Sequence, residues 1–156
     1  RFYGVTEGYV PADTAKVSIK MKRVSFGAKF VPQEFKSGSL EIQIDQSPVK
    51  TLNADSLNPV SLESYVSFYS TSSAFEQDST FYSETIPVNI IWVEKKDSVN
   101  TVRTPIVSQD ITFKRNHLTT IEFKVEKDST QSPSFEFNPN EEWVSDTIKV
   151  EGTPNS

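Results

Sequence analysis

One histidine, His117, stands in the run "KRNHL" beside Arg115 and Asn116. An imidazole there could serve as a general base or a metal ligand, but either role needs partners. The chain has no cysteine, so thiolate nucleophiles, thiolate metal ligands and disulfides are all excluded. Paired carboxylates occur at Glu141–Glu142 and, more loosely, at Asp78 and Glu84. Such pairs could act as glycosidase acids or hold calcium. Neither has the ordered acidic spacing of a calcium loop around a turn glycine, and both read as solvated loop acids. There is no "GxSxG" elbow, Gly-rich phosphate loop or "HExxH". The sequence therefore offers no catalytic residue, no cofactor site and no metal site, and it reads as a non-enzyme. Tyr65, Tyr69, Tyr82, Trp92 and Trp143 could stack against sugar rings. Trp92 lies in a doubly apolar strand and reads as core, which leaves Trp143, after "NPNEE", and Tyr82 as the candidate glycan contacts.

The formal net charge of −5, with 16 basic residues scattered among 21 acidic ones, argues against nucleic acid as a partner. Short basic runs such as "KMKR" (20–23) fall within alternating stretches and read as solvated strand faces. No run approaches the roughly 20 apolar residues of a membrane-spanning helix. "NxS" and "NxT" sequons are absent, and the sequence opens at Arg1, as expected of a mature or truncated chain whose export signal lies outside it.

The elements that would position any site are strands. Phe alone supplies 11 residues, and β-branched residues are frequent, a mixture that favours sheet over helix. "SLEIQIDQ" (39–46) alternates Leu40, Ile42 and Ile44 against polar neighbours, as a half-buried strand does. "TIPVNIIWVEKK" (85–96) carries Ile86, Val88, Ile90 and Trp92 on one face and Ile91 and Val93 on the other. This predicts a central strand covered on both sides. Pro105 confines "TVRTPIV" (101–107) to an edge or a strand end. "DITFKRNHLTTIEFKVEK" (110–127) alternates before and after "KRNHL" and reads as a hairpin. Its turn should expose His117, and the Arg115 stem should lie along the sandwich edge with its guanidinium in water or on an acid. With eight to ten short strands, the expected fold is all-β, a two-sheet antiparallel β-sandwich. The expected organisation is an N-terminal arm (1–15), one sandwich domain (16–150) and a frayed tail (151–156).

"KVSIKMKRVSFGAKF" (16–30) sharpens that picture. Val17, Ile19 and Met21 keep odd positions, whereas Val24, Phe26, Ala28 and Phe30 keep even ones. A period-two pattern changes phase only where an extra residue enters the strand. A bulge or a switch of sheets is expected near Lys22–Arg23.

"VSIKMKRVSFGAKF" and "ITFKRNHLTTIEFKV" together resemble the fimbrillin-like and minor fimbrial anchor proteins of Bacteroidales, over roughly residues 2 to 127. That resemblance implies a transthyretin-like β-sandwich. It also implies a structural or adhesive surface lipoprotein, exported to the cell surface or outer membrane. Partners would be other surface or fimbrial subunits joined by strand-edge pairing, or, in the alternative, a glycan. The membrane would be met only through a lipid anchor outside this chain. Members usually have two such domains, and 156 residues hold one. Transthyretin-like folds also include a ureide hydrolase with several histidines and a C-terminal Tyr–Arg–Gly–Ser. The single His and the ending "EGTPNS" do not match it.

Overall fold

The computed structural model describes residues 2–4, 17–68, 82–125, 134–138 and 147–152. Every regular element among them is a strand: β1 (Phe2–Gly4), β2 (Val17–Arg23), β3 (Ser25–Gln33), β4 (Ser39–Ile44), β5 (Lys50–Asn53), β6 (Leu62–Ser67), β7 (Ser83–Lys95), β8 (Thr101–Lys114), β9 (Leu118–Lys124), β10 (Ser134–Asn138) and β11 (Thr147–Gly152). The chain is an all-β sandwich, as its alternation predicts.

Two four-stranded sheets, ordered β10-β9-β3-β6 and β5-β4-β7-β8, face each other. Their inner faces meet through large side chains. Phe26 of β3 stacks on Phe113 of β8 with ring centroids 4.3 Å apart, and both are fully buried. Leu40, Ile42 and Ile44 of β4 and Ile121 and Phe123 of β9 complete the same core. A third ladder, β1-β2-β11, extends the expected two-sheet plan. The pairing is also not wholly antiparallel, because β3 and β9 run parallel, with Gly27 opposite Leu118 through Gln33 opposite Lys124.

The phase change at 16–30 is a switch of sheets. β2 pairs with β1 and β11, the strand breaks at Val24, and β3 pairs with β6 and β9. Val24 through Ala28 are then buried without interruption, so this stretch is covered on both faces. Phe2–Gly4 of the expected arm forms an edge strand on β2, and β11 reaches Gly152, two residues into the expected tail.

β7 lies between β4 and β8, away from either edge. Val88 and Ile90 are fully buried, but Ile91 and Val93 on its outer face are only half-buried. That face is crossed by an ion pair. The Arg103 guanidinium of β8 grips both oxygens of the Glu41 carboxylate of β4, and the register sets Ile91 opposite Glu41 and Val93 opposite Arg103. The pair draws the Glu41 carboxyl below its ordinary range, chiefly through the hydrogen bond from Arg103.

Pro105 does fall on an edge strand, β8, at a bulge. Ile90 pairs with Val107 and Ile91 with Pro105, so Ile106 is the extra residue. The insertion lets the neighbours Ile106 and Val107 both enter the core, at 4% and 3% exposure. Pro87 is tolerated inside β7 because its carbonyl, which accepts from Asp45 N–H, points toward β4 beyond the last β4 ladder row at Ile44–Val88. Its missing donor therefore interrupts no ladder.

The expected hairpin at 110–127 is an arch between sheets. β8 pairs with β7, whereas β9 pairs with β3 and β10. The backbone changes partners within three residues: Arg115 N–H donates to Tyr82 O, Asn116 N–H to Ser25 O, and His117 O accepts from Gly27 N–H. Asn116, with φ +61°, makes the corner, and its Oδ1 accepts from Arg23 Nη1 at 3.3 Å.

Candidate functional site

Among the described residues, no cluster of three or more His, Cys, Asp or Glu could hold a metal. The His117 ring is half-buried rather than largely exposed, and its Nδ1–H donates to the Arg115 carbonyl at 2.8 Å. Arg115, expected along the edge, is 2% exposed. The arch explains the correction. Residues 111, 113 and 115 share a phase, and where the chain crosses between sheets that phase continues into the interior instead of along a rim.

Tyr82 is also a core residue, 7% exposed, with its ring edge-on to Phe68 at 5.2 Å. Its hydroxyl donates to Glu84 Oε1. Burial first, and then the Glu84 carboxylate, push the phenol up to about 12. A ring enclosed this way presents its hydroxyl, not a stacking face. Trp143, the other expected glycan contact, lies outside the described residues. Trp92 is partly buried against the core, and its Nε1–H donates to Ser37 O at 2.9 Å.

Among the described residues several strands end a sheet, and these edges are not equivalent. β8 ends its sheet but carries Pro105, a bulge, and the charges Arg103, Asp110 and Lys114, all features that discourage a further strand. β5 is four residues long. β6 ends the other sheet with six residues in unbroken register against β3, and it has neither proline nor bulge.

The direction of its backbone groups follows from one bond. Phe68 N–H donates to Val24 O, toward β3. N–H and C=O alternate sides along a strand, so Leu62, Ser64 and Val66 also face β3, while Glu63, Tyr65 and Ser67 turn theirs away from β3, to the side where the described residues place no further strand. Beside that edge, Tyr65 is 49% exposed and its hydroxyl donates to Glu63 Oε2 at 2.9 Å. The ring lies over Gly27, where an added Cβ would meet Tyr65 Cε1 at 3.0 Å. Lys29 sits 3.8 Å from Glu63 on the same outer face.

A second feature lies where β4 ends, β6 ends and β7 begins. A cleft of about 230 Å³ has an apolar floor of Ile44, Val66 and Ile86 and a polar rim that includes Asp45, Ser47, Ser67 and Glu84. Asp45 holds φ +47° at the rim, and Ser47 Oγ accepts from Ile44 N–H. Three separate segments build this cleft, so no local motif announces it. The β6 edge is legible only in part: Leu62, Ser64 and Val66 share one face of the strand, but its place at the end of a sheet depends on sheet order.

No family model matches this chain, and no curated protein or solved structure shows significant similarity to it.

Proposed function

We propose that this chain is a non-enzymatic structural or adhesive subunit that assembles by strand-edge pairing, as its resemblance to fimbrillin-like proteins suggests. The setting would be a bacterial cell surface, reached by export and held by an anchor outside this sequence. The observation that carries the reading is the contrast between edges. β8 is blunted by proline, bulge and charge, whereas β6 ends its sheet among the described residues without proline or bulge, and the Glu63 and Ser67 backbone groups face away from β3, toward a strand that would extend the sheet. In such augmentation the main chain supplies affinity, and alternate side chains supply specificity. Tyr65, exposed and braced on Gly27 and Glu63, is the side chain placed to select the incoming strand.

Glu63→Pro tests this directly. Its N–H faces outward, so proline removes an edge donor while leaving the β3 ladder intact. Sedimentation velocity should show wild-type protein associating with rising concentration and the variant associating at least tenfold more weakly. Equal association of the two would refute edge pairing at β6.

A further inference from the structure

Two loops far apart in sequence share the four-residue pattern Asp-Ser-aliphatic-Asn. Asp55-Ser56-Leu57-Asn58 lies between β5 and β6, and Asp97-Ser98-Val99-Asn100 between β7 and β8. Their hydrogen bonds are the same. Asp55 Oδ1 accepts from the N–H groups of Leu57 and Asn58, and Oδ2 from the Asn58 side-chain amide. Asp97 makes the same three bonds with Val99 and Asn100. These bonds hold both aspartates below their ordinary range, the side-chain amide contributing most. In each loop the third residue is turned out to water: Leu57 is 87% and Val99 86% exposed.

A single exposed aliphatic residue is ordinary. Here two are held by turns whose polar groups are satisfied internally, so little ordering entropy remains to be lost on docking. They also share one end of the molecule. Ser39 pairs with Asn53 on one side and Val93 on the other, and Val93 pairs with Arg103, so the end of β5 is level with the outer part of the β7–β8 hairpin. Exposed Lys95 and Lys96 lead directly into the Val99 turn.

The cleft lies at the opposite end of the same sheet, where Ile44 pairs with Val88 and Glu84 with Phe113. Its lining has two carboxylates, Asp45 and Glu84, and no basic residue. An apolar cavity of about 150 Å³ takes a benzene-sized group. A floor of Ile44, Val66 and Ile86 within about 230 Å³ has room for a branched aliphatic side chain.

We infer that the Leu57/Val99 end of one copy docks head to tail on the cleft of a second copy. Val99 enters the cleft, and Lys95 and Lys96 face Asp45 and Glu84. The inference rests on the reading of this chain as an assembling subunit, and it adds an end-to-end contact distinct from pairing at β6. The two surfaces differ and lie at opposite ends, so the contact is heterologous and propagates as a linear chain rather than closing as a dimer.

Sedimentation velocity across a concentration series tests it with the whole chain. The double variant Leu57→Asp/Val99→Asp alters only exposed side chains, and Gln46→Trp crowds the cleft from its exposed mouth. Each variant alone should associate at least tenfold more weakly than wild type. Carried into the Glu63→Pro background, which removes edge pairing, and mixed, they should form a 1:1 dimer and nothing longer, because one supplies the intact cleft and the other the intact tips. Wild-type-like association of the double variant, or a mixture that stays monomeric, would overturn the inference. If Glu63→Pro abolishes association and the double variant does not, edge pairing stands and the end-to-end contact falls. The reverse result retains this contact and removes edge pairing. Wild-type protein that is monomeric at every concentration overturns both.

Discussion

Replacing Gly38 with alanine should be among the most damaging single-methyl changes available to this chain. Gly38 sits at the entry to β4 with φ +80°, and a Cβ there would lie 2.5 Å from Val93 O and 2.9 Å from Trp92 Nε1. The left-handed backbone alone costs a residue with a Cβ about 1–2 kcal/mol. The clash adds a further overpacking term of about 1–3 kcal/mol, since the nearest atom is a strand carbonyl that cannot swing aside. The expected loss is therefore about 2–5 kcal/mol against a domain stability of roughly 5–15 kcal/mol. With a urea slope of about 2 kcal/mol/M, the midpoint should fall by roughly 1–2.5 M. Gly27→Ala is the matched control. Its Cβ would meet Leu118 Cδ1 at 2.8 Å and the Tyr65 ring at 3.0 Å, and both neighbours are side-chain atoms on the outer face. The backbone there needs no left-handed turn, so the net loss should stay within about 1 kcal/mol, helped by the smaller entropy of the unfolded alanine chain. Urea unfolding followed by circular dichroism reads both variants. A Gly38→Ala midpoint within error of wild type, or a Gly27→Ala loss as large as that of Gly38→Ala, would refute this reasoning.

Phe113→Ala should destabilise by about 3–5 kcal/mol, because it empties a fully buried site and removes the ring that stacks on Phe26 across the two sheets; denaturant unfolding measures it, and a loss below about 1 kcal/mol would mean the sheets do not meet there. Tyr82 should titrate late, near its raised value of about 12 against an ordinary 10.0. A phenol raised in the folded state is neutral in both states below pH 10; as pH climbs from there toward 12 the unfolded chain ionises first, and stability is lost across that window. Ultraviolet titration locates the late tyrosine, and Tyr82→Phe should flatten the alkaline loss of stability; an unchanged alkaline profile would contradict the placement of Tyr82.

Much of the sandwich is visible in the sequence because burial on a strand has a period of two. Leu40, Ile42 and Ile44 alternate in the sequence and are buried in the fold. The slip of phase between Met21 and Val24 marks the switch of sheets, since a regular strand cannot change its buried face. The arch at 115–117 was not legible. Phe113 and Ile121 both face one core, and that alternation is the same whether the strands pair side by side or lie in opposite sheets. Only the partners Tyr82, Ser25 and Gly27 decide it, and they are distant in sequence. The parallel β3–β9 pair is hidden for the same reason. The difference between the β6 and β8 edges is half legible: Pro105 shows in the sequence, but the bulge at Ile106 and the place of β6 at the end of its sheet depend on sheet order. The paired loops show the opposite limit, because the repeated pattern is plain in the sequence while their common position at one end of the sheet is not.

Residue-resolved amide exchange in dilute and concentrated protein tests assembly through β6 most directly. The N–H groups of Glu63 and Ser67 should exchange readily when the chain is dilute and become protected together as it associates. Those of Leu62, Ser64 and Val66, already bonded to β3, should be protected throughout. Association that leaves Glu63 and Ser67 exchanging freely, or that protects the β8 edge in their place, would contradict the account.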